Sequence, residues 1–268
     1  MLLQGKRALI MGVANNRSIA WGIARAFHRE GATLAFTYQG ERLRGNLVDL
    51  LAELGGADRF PLFPCDVTAH DEVDAVFAGL KAQWGGLDVL VHCLAYAGRE
   101  ELSRPFAEIT RQGYLQAMDI SAYSLIRCSA AARPLFEAAG GGSIMTLTYN
   151  AVSQVVPSYS VMAVAKAALE AEVRYLAAEL GPLNVRVNAI SAGPIRTLAS
   201  SAVKGITGFR EVVAEIAPLR RNVSAEDVGD VAVFLAADLS RSVTGNTIFA
   251  DSGFHVLGAA GALEIRRG

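Results

Sequence analysis

Tyr159, Met162 and Lys166 stand at positions i, i+3 and i+7 in the run Pro157-Ser-Tyr-Ser-Val-Met-Ala-Val-Ala-Lys166. On a helix with about 3.6 residues per turn, these three side chains share one face. A phenol there can donate a hydrogen bond to an oxygen that turns negative during a reaction. A neighbouring ammonium makes that donation easier by stabilising negative charge. The same spacing also describes an amphipathic core helix whose Tyr and Met pack inside while its Lys stem reaches out to water. Spacing alone does not choose between chemistry and packing, so the elements around this helix must.

Short apolar runs suited to strands recur at 7–11, 33–37, 59–63, 89–94, 143–147, 185–190 and 247–250, and helix-period segments separate them at 19–30, 41–54, 70–84, 112–138, 158–180 and 225–237. This alternation predicts an α/β fold: a doubly wound, Rossmann-type parallel sheet with helices on both faces. Without a Pro/Ser-rich linker or an internal repeat, the expectation is a single domain over residues 1–268.

Composition narrows the function. The chain has 25 Lys and Arg against 26 Asp and Glu, a formal charge of −1, which argues against nucleic-acid binding. Cys65, Cys93 and Cys128 are odd in number and widely spaced, with no Cys-x-x-Cys pair, so neither a disulfide framework nor a metal site is expected. No apolar stretch reaches spanning length and the first residues lack a signal-peptide core, so the expectation is a cytoplasmic protein without membrane insertion.

In a doubly wound sheet, ligands sit at the carboxyl ends of the strands, and the unusual residues gather there. Gly12, Asn15, Ser18, Ile19, Ala20 and Gly22 follow the first strand and open a helix. Small residues permit close approach of a pyrophosphate, a helix start offers free amides, and Ser18 suits the N-cap. The spacing is not G-x-G-x-x-G, and a tight strand-to-helix turn uses the same residue types structurally. After the second strand no Asp appears. Gln39 can hydrogen-bond a free ribose hydroxyl, whereas a 2′-phosphate favours Arg or Lys at the turn itself, and Arg42 comes a few residues later. NADH is therefore expected over NADPH. Asp66 and Val67 follow the third strand and suit an adenine edge, although Asp66 also suits a turn or helix cap. After the fourth strand, His92 lies in an apolar run where a satisfied core histidine is the ordinary outcome.

Taken in order, these segments resemble the short-chain dehydrogenase/reductase superfamily and, within it, the enoyl-acyl-carrier-protein reductases of bacterial and plastid fatty-acid synthesis. The likeness runs through Gly12-Val-Ala with Ser18-Ile-Ala20, Phe36-Thr-Tyr38-Gln39, Cys65-Asp66-Val67, His92-Cys-Leu-Ala-Tyr-Ala97, Asp119-Ile-Ser121-Ala-Tyr123-Ser, Thr148-Tyr149, the Tyr159 run, Arg186-Val-Asn188, Gly193-Pro194-Ile195-Arg196-Thr197-Leu198 and Pro218-Leu-Arg-Arg. A carbonyl-reducing member carries Tyr-x-x-x-Lys with Ser thirteen residues before the Tyr. Here Met162 stands four before Lys166, and Thr146 stands thirteen before Tyr159. The enoyl-reductase pattern of two tyrosines ten apart, then Met and Lys, fits Tyr149, Tyr159, Met162 and Lys166.

The resemblance implies a reaction: NADH delivers hydride to Cβ of a trans-2-enoyl thioester of acyl carrier protein, the last reductive step of fatty-acid elongation. It assigns Tyr159 to the thioester oxygen and Lys166 to the ribose hydroxyls, with its ammonium at an ordinary pKa near 10.4. Tyr149 would contact substrate or supply a proton. Leu94, Ala95, Ile195 and Thr197 join Gly12, Ser18, Ile19, Gln39, Asp66 and Val67 at the cofactor. Tyr96, Ala97, Met162 and Leu198 line the acyl site, and the segment 197–209 covers it. A homotetramer is implied, with 112–138, 158–180 and the segment after Phe254 as interface candidates. Ala95 departs from an expected Gly, and Val152-Ser153-Gln154 replaces a more charged stretch. Two other readings remain at this point: a short-chain reductase acting on a ketoacyl carbonyl, and a non-catalytic nucleotide-binding protein.

Overall fold

A computed structural model describes residues 1–197 and 206–258. Its strands are β1 (Arg7–Met11), β2 (Thr33–Tyr38), β3 (Leu62–Pro64), β4 (Val89–His92), β5 (Gly142–Thr148), β6 (Val185–Ala192) and β7 (Thr247–Ala250). They form one sheet of seven strands in the order β3-β2-β1-β4-β5-β6-β7, every pairing parallel. The central strands read as continuous apolar runs because both faces are covered: Ala8, Leu9, Ile10, Val89, Leu90 and Val91 are all fully buried.

The helices are α1 (Ile19–Arg29), α2 (Gly40–Leu51), α3 (His70–Trp84), α4 (Arg99–Ser103), α5 (Arg111–Met118), α6 (Ser124–Ala139), α7 (Ser160–Leu180), α8 (Ile206–Ile216) and α9 (Ala225–Ala236). Trp21, Phe27, Leu47 and Val228 bring α1, α2 and α9 onto one face, and Phe77, Phe136 and Leu169 bring α3, α6 and α7 onto the other. The doubly wound expectation is met, and the strand order reverses between β1 and β4, which creates a crevice at their carboxyl ends.

Three departures from the expected boundaries have a clear local geometry. The apolar run at 59–63 becomes strand only from Leu62, because Ala57–Arg59 form a tight turn closed by Arg59 Nη1 donating to Leu54 O at 3.2 Å. The helix expected over 158–180 starts at Ser160: Ser158 has a φ of 60°, a left-handed value a right-handed helix does not admit. The helix expected over 112–138 is two α-helices joined by a widened turn of i→i+5 type at Asp119–Tyr123. Such insertions concentrate at functional sites.

Gly22, read from sequence as part of a nucleotide loop, serves helix packing instead. A Cβ there would lie 2.4 Å from Ala225 O on α9, and one at Gly229 would lie 2.7 Å from Gly22 O. Two facing glycines let α1 and α9 cross at close range.

Candidate active site

Tyr149 follows the last residue of β5, and Tyr159 occupies the N-cap position of α7 with φ −124° and ψ 11°. Its carbonyl already accepts from Ala163 N at 2.7 Å, so the phenol is aimed by the start of the helix although the residue lies outside it. Met162 and Lys166 lie one turn apart on α7, and Tyr159, placed by the cap and not by the helix itself, packs against the apolar cluster that holds Met162. The two phenol rings meet edge to face, with centroids 5.1 Å apart.

Burial pushes the Tyr159 phenol above its ordinary range, and Tyr149 adds to this. Burial, with Asp251 nearby, pushes Tyr149 up to about 12. Both phenols are thus neutral donors at neutral pH. Lys166 is only 4% exposed, and its Nζ donates to Leu94 O at a long 3.4 Å. Burial draws its ammonium down to about 8, opposed by Cys93, Glu172 and Glu170. The ordinary pKa expected from sequence is corrected accordingly, because Lys166 does not reach water. Met162 packs with Leu102, Ala117, Val161 and Ala165 in a small apolar cluster flanked by Tyr159 and Ala97. Lys166 follows Tyr159 by two turns of α7, and a cation and a neutral phenol aimed from one helix can together stabilise a forming oxyanion.

His92 is a core residue, as its apolar surroundings predict. Its Nδ1 lies 3.0 Å from Thr146 Oγ1 and its Nε2 lies 2.8 Å from Ser124 Oγ, and burial, with the Lys166 charge adding, draws it down to about 3. Thr146, at the position a carbonyl reducer gives to Ser, is fully buried and donates to His92 O at 3.1 Å. It faces the histidine and not the crevice.

At the β1–β3 end, Gly12 has a φ of +91°, and a Cβ on it would sit 2.1 Å from Cys93 O, so the exits of β1 and β4 touch through it. Ser18 stands at the N-cap of α1 but does not cap it. Its Oγ turns back to accept from Ala14 N and Asn15 N, both at 3.1 Å, and so shapes the loop. The first-turn amides of α1, those of Ile19 and Ala20, have no intrahelical acceptor. Gln39 Nε2 donates to Asp66 Oδ2 at 2.7 Å, which joins the exits of β2 and β3, and Asp66 Oδ1 accepts from Thr68 N at 2.9 Å and Thr68 Oγ1 at 2.7 Å. The turn role considered for Asp66 is therefore real. Val67 is buried, and Arg42 is exposed.

Beyond β4, Leu94 and Ala97 are half-buried, while Ala95 and Tyr96 are exposed at the crevice. Ile195 and Thr197 are half-buried after β6, with Thr197 N donating to Ile195 O at 3.0 Å. Leu198 and the positions 198–205 of the expected cover lie outside the described residues, and the rest of that segment begins α8.

Sequence reading gave no role to Ser121. It is fully buried in the widened turn, and its Oγ both accepts from Tyr96 N at 2.9 Å and donates to Tyr96 O at 3.1 Å. One side chain thus satisfies both backbone groups of a crevice residue. Glu101, 8% exposed, accepts from Thr110 N at 3.0 Å and Thr110 Oγ1 at 2.8 Å, tying α4 to the start of α5. The available signal was a Ser held inside a helical apolar pattern, where a hydroxyl needs a partner.

Among the described residues no three His, Cys, Asp or Glu side chains are grouped to hold a metal ion, and no helix is long and apolar enough to cross a membrane. All three cysteines are free thiols.

A dinucleotide-type sheet with a paired-tyrosine and lysine site at the switch crevice defines an oxidoreductase of the short-chain dehydrogenase/reductase type. Residues 12–255 match the model of the enoyl-(acyl carrier protein) reductase family, and the chain belongs to that family. It is 49% identical over 257 residues to the NADH-dependent enoyl-[acyl-carrier-protein] reductase of Nostoc, covering 96% of this chain and 98% of that protein. The crystal structure of the Bacillus cereus enoyl-acyl carrier protein reductase with NADP+ and indole naphthyridinone superposes with a TM-score of 0.93 at 49% identity, over 96% of this chain and 99% of that one. The Anaplasma phagocytophilum reductase in complex with NAD gives 0.91 at 44% identity, over 97% of each chain.

Proposed function

We propose that this chain reduces trans-2-enoyl thioesters of acyl carrier protein to acyl thioesters with NADH, working as a single reductase domain. The observation that carries the reading is the edge-to-face pair Tyr149 and Tyr159 together with the buried Lys166 two turns further along α7. When bound, NADH supplies the hydride that adds to Cβ, which drives negative charge onto the thioester oxygen. Tyr159, a neutral donor at the start of α7, stabilises that oxygen, a contact of the kind worth about 3 kcal/mol. Lys166 holds the ribose hydroxyls and lends positive charge. Tyr149 contacts the substrate from the end of β5, and Met162 and Ala97 offer an apolar wall, to which the family resemblance adds Tyr96 and Leu198 as acyl contacts.

The residues at the crevice fit a dinucleotide. Gly12 has no Cβ where the β1 and β4 exits touch, the first-turn amides of α1 suit a pyrophosphate, and among the described residues Lys166 makes one long hydrogen bond. Gly12, Ser18, Ile19, Gln39, Asp66, Val67, Leu94, Ala95, Ile195 and Thr197 would hold the cofactor. A homotetramer is supported by the exposed apolar side chains of Tyr114, Leu115, Tyr123 and Ile126 along α5 and α6 and by Tyr175 on α7. Three free thiols suit a reducing cytoplasm.

The test is NADH oxidation with a crotonyl thioester against an acetoacetyl thioester. Turnover of the enoyl compound alone is expected, and turnover of the ketone alone would overturn the assignment.

A further inference from the structure

Gln39 ends β2 with a side-chain amide whose orientation is not free. Its partner at 2.7 Å is a carboxylate oxygen of Asp66, and a carboxylate only accepts, so Nε2 must face Asp66. Asp66 is itself fixed: Oδ1 takes both the amide and the hydroxyl of Thr68, and its backbone N–H donates to Glu72 Oε2 at 2.7 Å. Although burial pushes the Asp66 carboxyl up, the Thr68 and Gln39 hydrogen bonds outweigh it and keep the group below the usual carboxylate range. It is therefore ionised at neutral pH, and the Gln39 carbonyl Oε1 is the amide end left free of Asp66, on a side chain that is exposed.

We infer that Asp66 is a specificity-determining residue acting through Gln39: it fixes the amide so that an acceptor meets the adenosine ribose, which favours a 2′-hydroxyl over a 2′-phosphate. The inference rests on the reading that Gln39 faces that ribose. A hydroxyl can donate to Oε1, whereas a phosphate near neutral pH carries acceptor oxygens and is repelled by it. The device offsets a local bias the other way, since Arg42 in the first turn of α2 is exposed and has no ion pair among the described residues. Gln39 alone does not set the preference, because an unrestrained amide turns its NH2 outward at little cost.

Asp66→Asn tests this sharply. The Asn carbonyl can keep the Thr68 bonds, leaving its NH2 toward Gln39, so the Gln39 amide reverses and presents Nε2 to the ribose. The ratio of kcat/KM for NADH to that for NADPH is expected to fall about tenfold, the size of one hydrogen bond gained by the phosphate. In a Gln39→Ala background the same Asp66→Asn change is expected to leave the ratio where Gln39→Ala set it. An unchanged ratio in the single variant overturns the inference. An equal fall in both backgrounds also overturns it, since Asp66 would then act by its own charge. Gln39→Ala by itself reports on the underlying placement: no change of ratio there removes Gln39 from the ribose, a failure separate from that of the Asp66 device.

Discussion

At the exits of β1, β2 and β3 the polar side chains are bonded within the protein: Ser18 to two loop amides, Gln39 to Asp66, Asp66 to Thr68, and Asn46 Nδ2 to Ala14 O at 3.0 Å. Near the exits of β4 and β5, Lys166 and the phenols of Tyr149 and Tyr159 differ from this: among the described residues they make few hydrogen bonds, although His92, Ser121 and Thr148 beside them are bonded. Lys166 reaches one carbonyl at 3.4 Å, and the two phenols touch each other through their rings. The first region is a finished cradle whose hydrogen bonds stabilise the fold. In the second, the buried Lys166 ammonium costs stability and, under the proposed function, is retained for what it does to a ligand. Substitutions should therefore move stability and activity together in the first region and in opposite directions at Lys166.

Lys166 is the strongest way to break that contrast. Its folded pKa of about 8 lies below the unfolded value near 10.4, so the charged form is disfavoured by folding. Below pH 8 the full cost is present, on the order of 3 kcal/mol. Between pH 8 and 10.4 the unfolded chain binds more protons, so this contribution to stability improves as pH rises. Lys166→Met is expected to raise the thermal midpoint by several degrees in scanning calorimetry, yet to lower kcat/KM for NADH by more than about 10²-fold. A lower midpoint with intact turnover would place Lys166 with the cradle residues.

The same pKa predicts an alkaline limb in the wild-type enzyme. Initial rates at limiting NADH should be flat up to about pH 8 and then fall roughly tenfold per pH unit as the ammonium is lost. A flat profile to pH 10 would mean that the charge on Lys166 is not needed.

Ser121→Ala should produce a smaller, divided effect. Both backbone groups of Tyr96 lose their partner, at a cost of about 1–3 kcal/mol. With Tyr96 at the proposed acyl site, KM for the enoyl thioester should rise several-fold with kcat changed less, and Ser121→Thr should restore part of it. Ser18→Ala is the mildest. Removing the acceptor for two loop amides should lower stability by about 1 kcal/mol and weaken NADH binding a few-fold together, as thermal melts and fluorescence titration would show.

Much of this was legible beforehand, and the failures have physical causes. The sheet could be read because its buried parallel strands are unbroken apolar runs, such as Leu-Ile-Met at the end of β1 and Val-Leu-Val in β4. The paired tyrosines could be read because their ten-residue separation spans a strand end, a loop and a helix start. The start of α7 was misplaced by two residues because Ser158 adopts a positive φ that its residue type does not announce. Gly22 was misassigned because a glycine needed for helix crossing looks the same in sequence as one needed for a phosphate. Ser121 was missed because a widened turn keeps the apolar pattern of its helix while redirecting one hydroxyl. The perturbed ammonium of Lys166 depends on how much of the chain closes over it, and spacing says nothing about that.

Whether Tyr159 stabilises the forming oxyanion is tested most directly by single-turnover hydride transfer from NADH to a crotonyl thioester in Tyr159→Phe. A phenyl ring keeps the contact with Tyr149 and the packing on Met162 while removing the donor. The rate of NADH consumption should fall about 10- to 100-fold, less than the full loss of an oxyanion donor because the ribose hydroxyl shares the load. An unchanged single-turnover rate would contradict the assignment of Tyr159 as the catalytic hydrogen-bond donor.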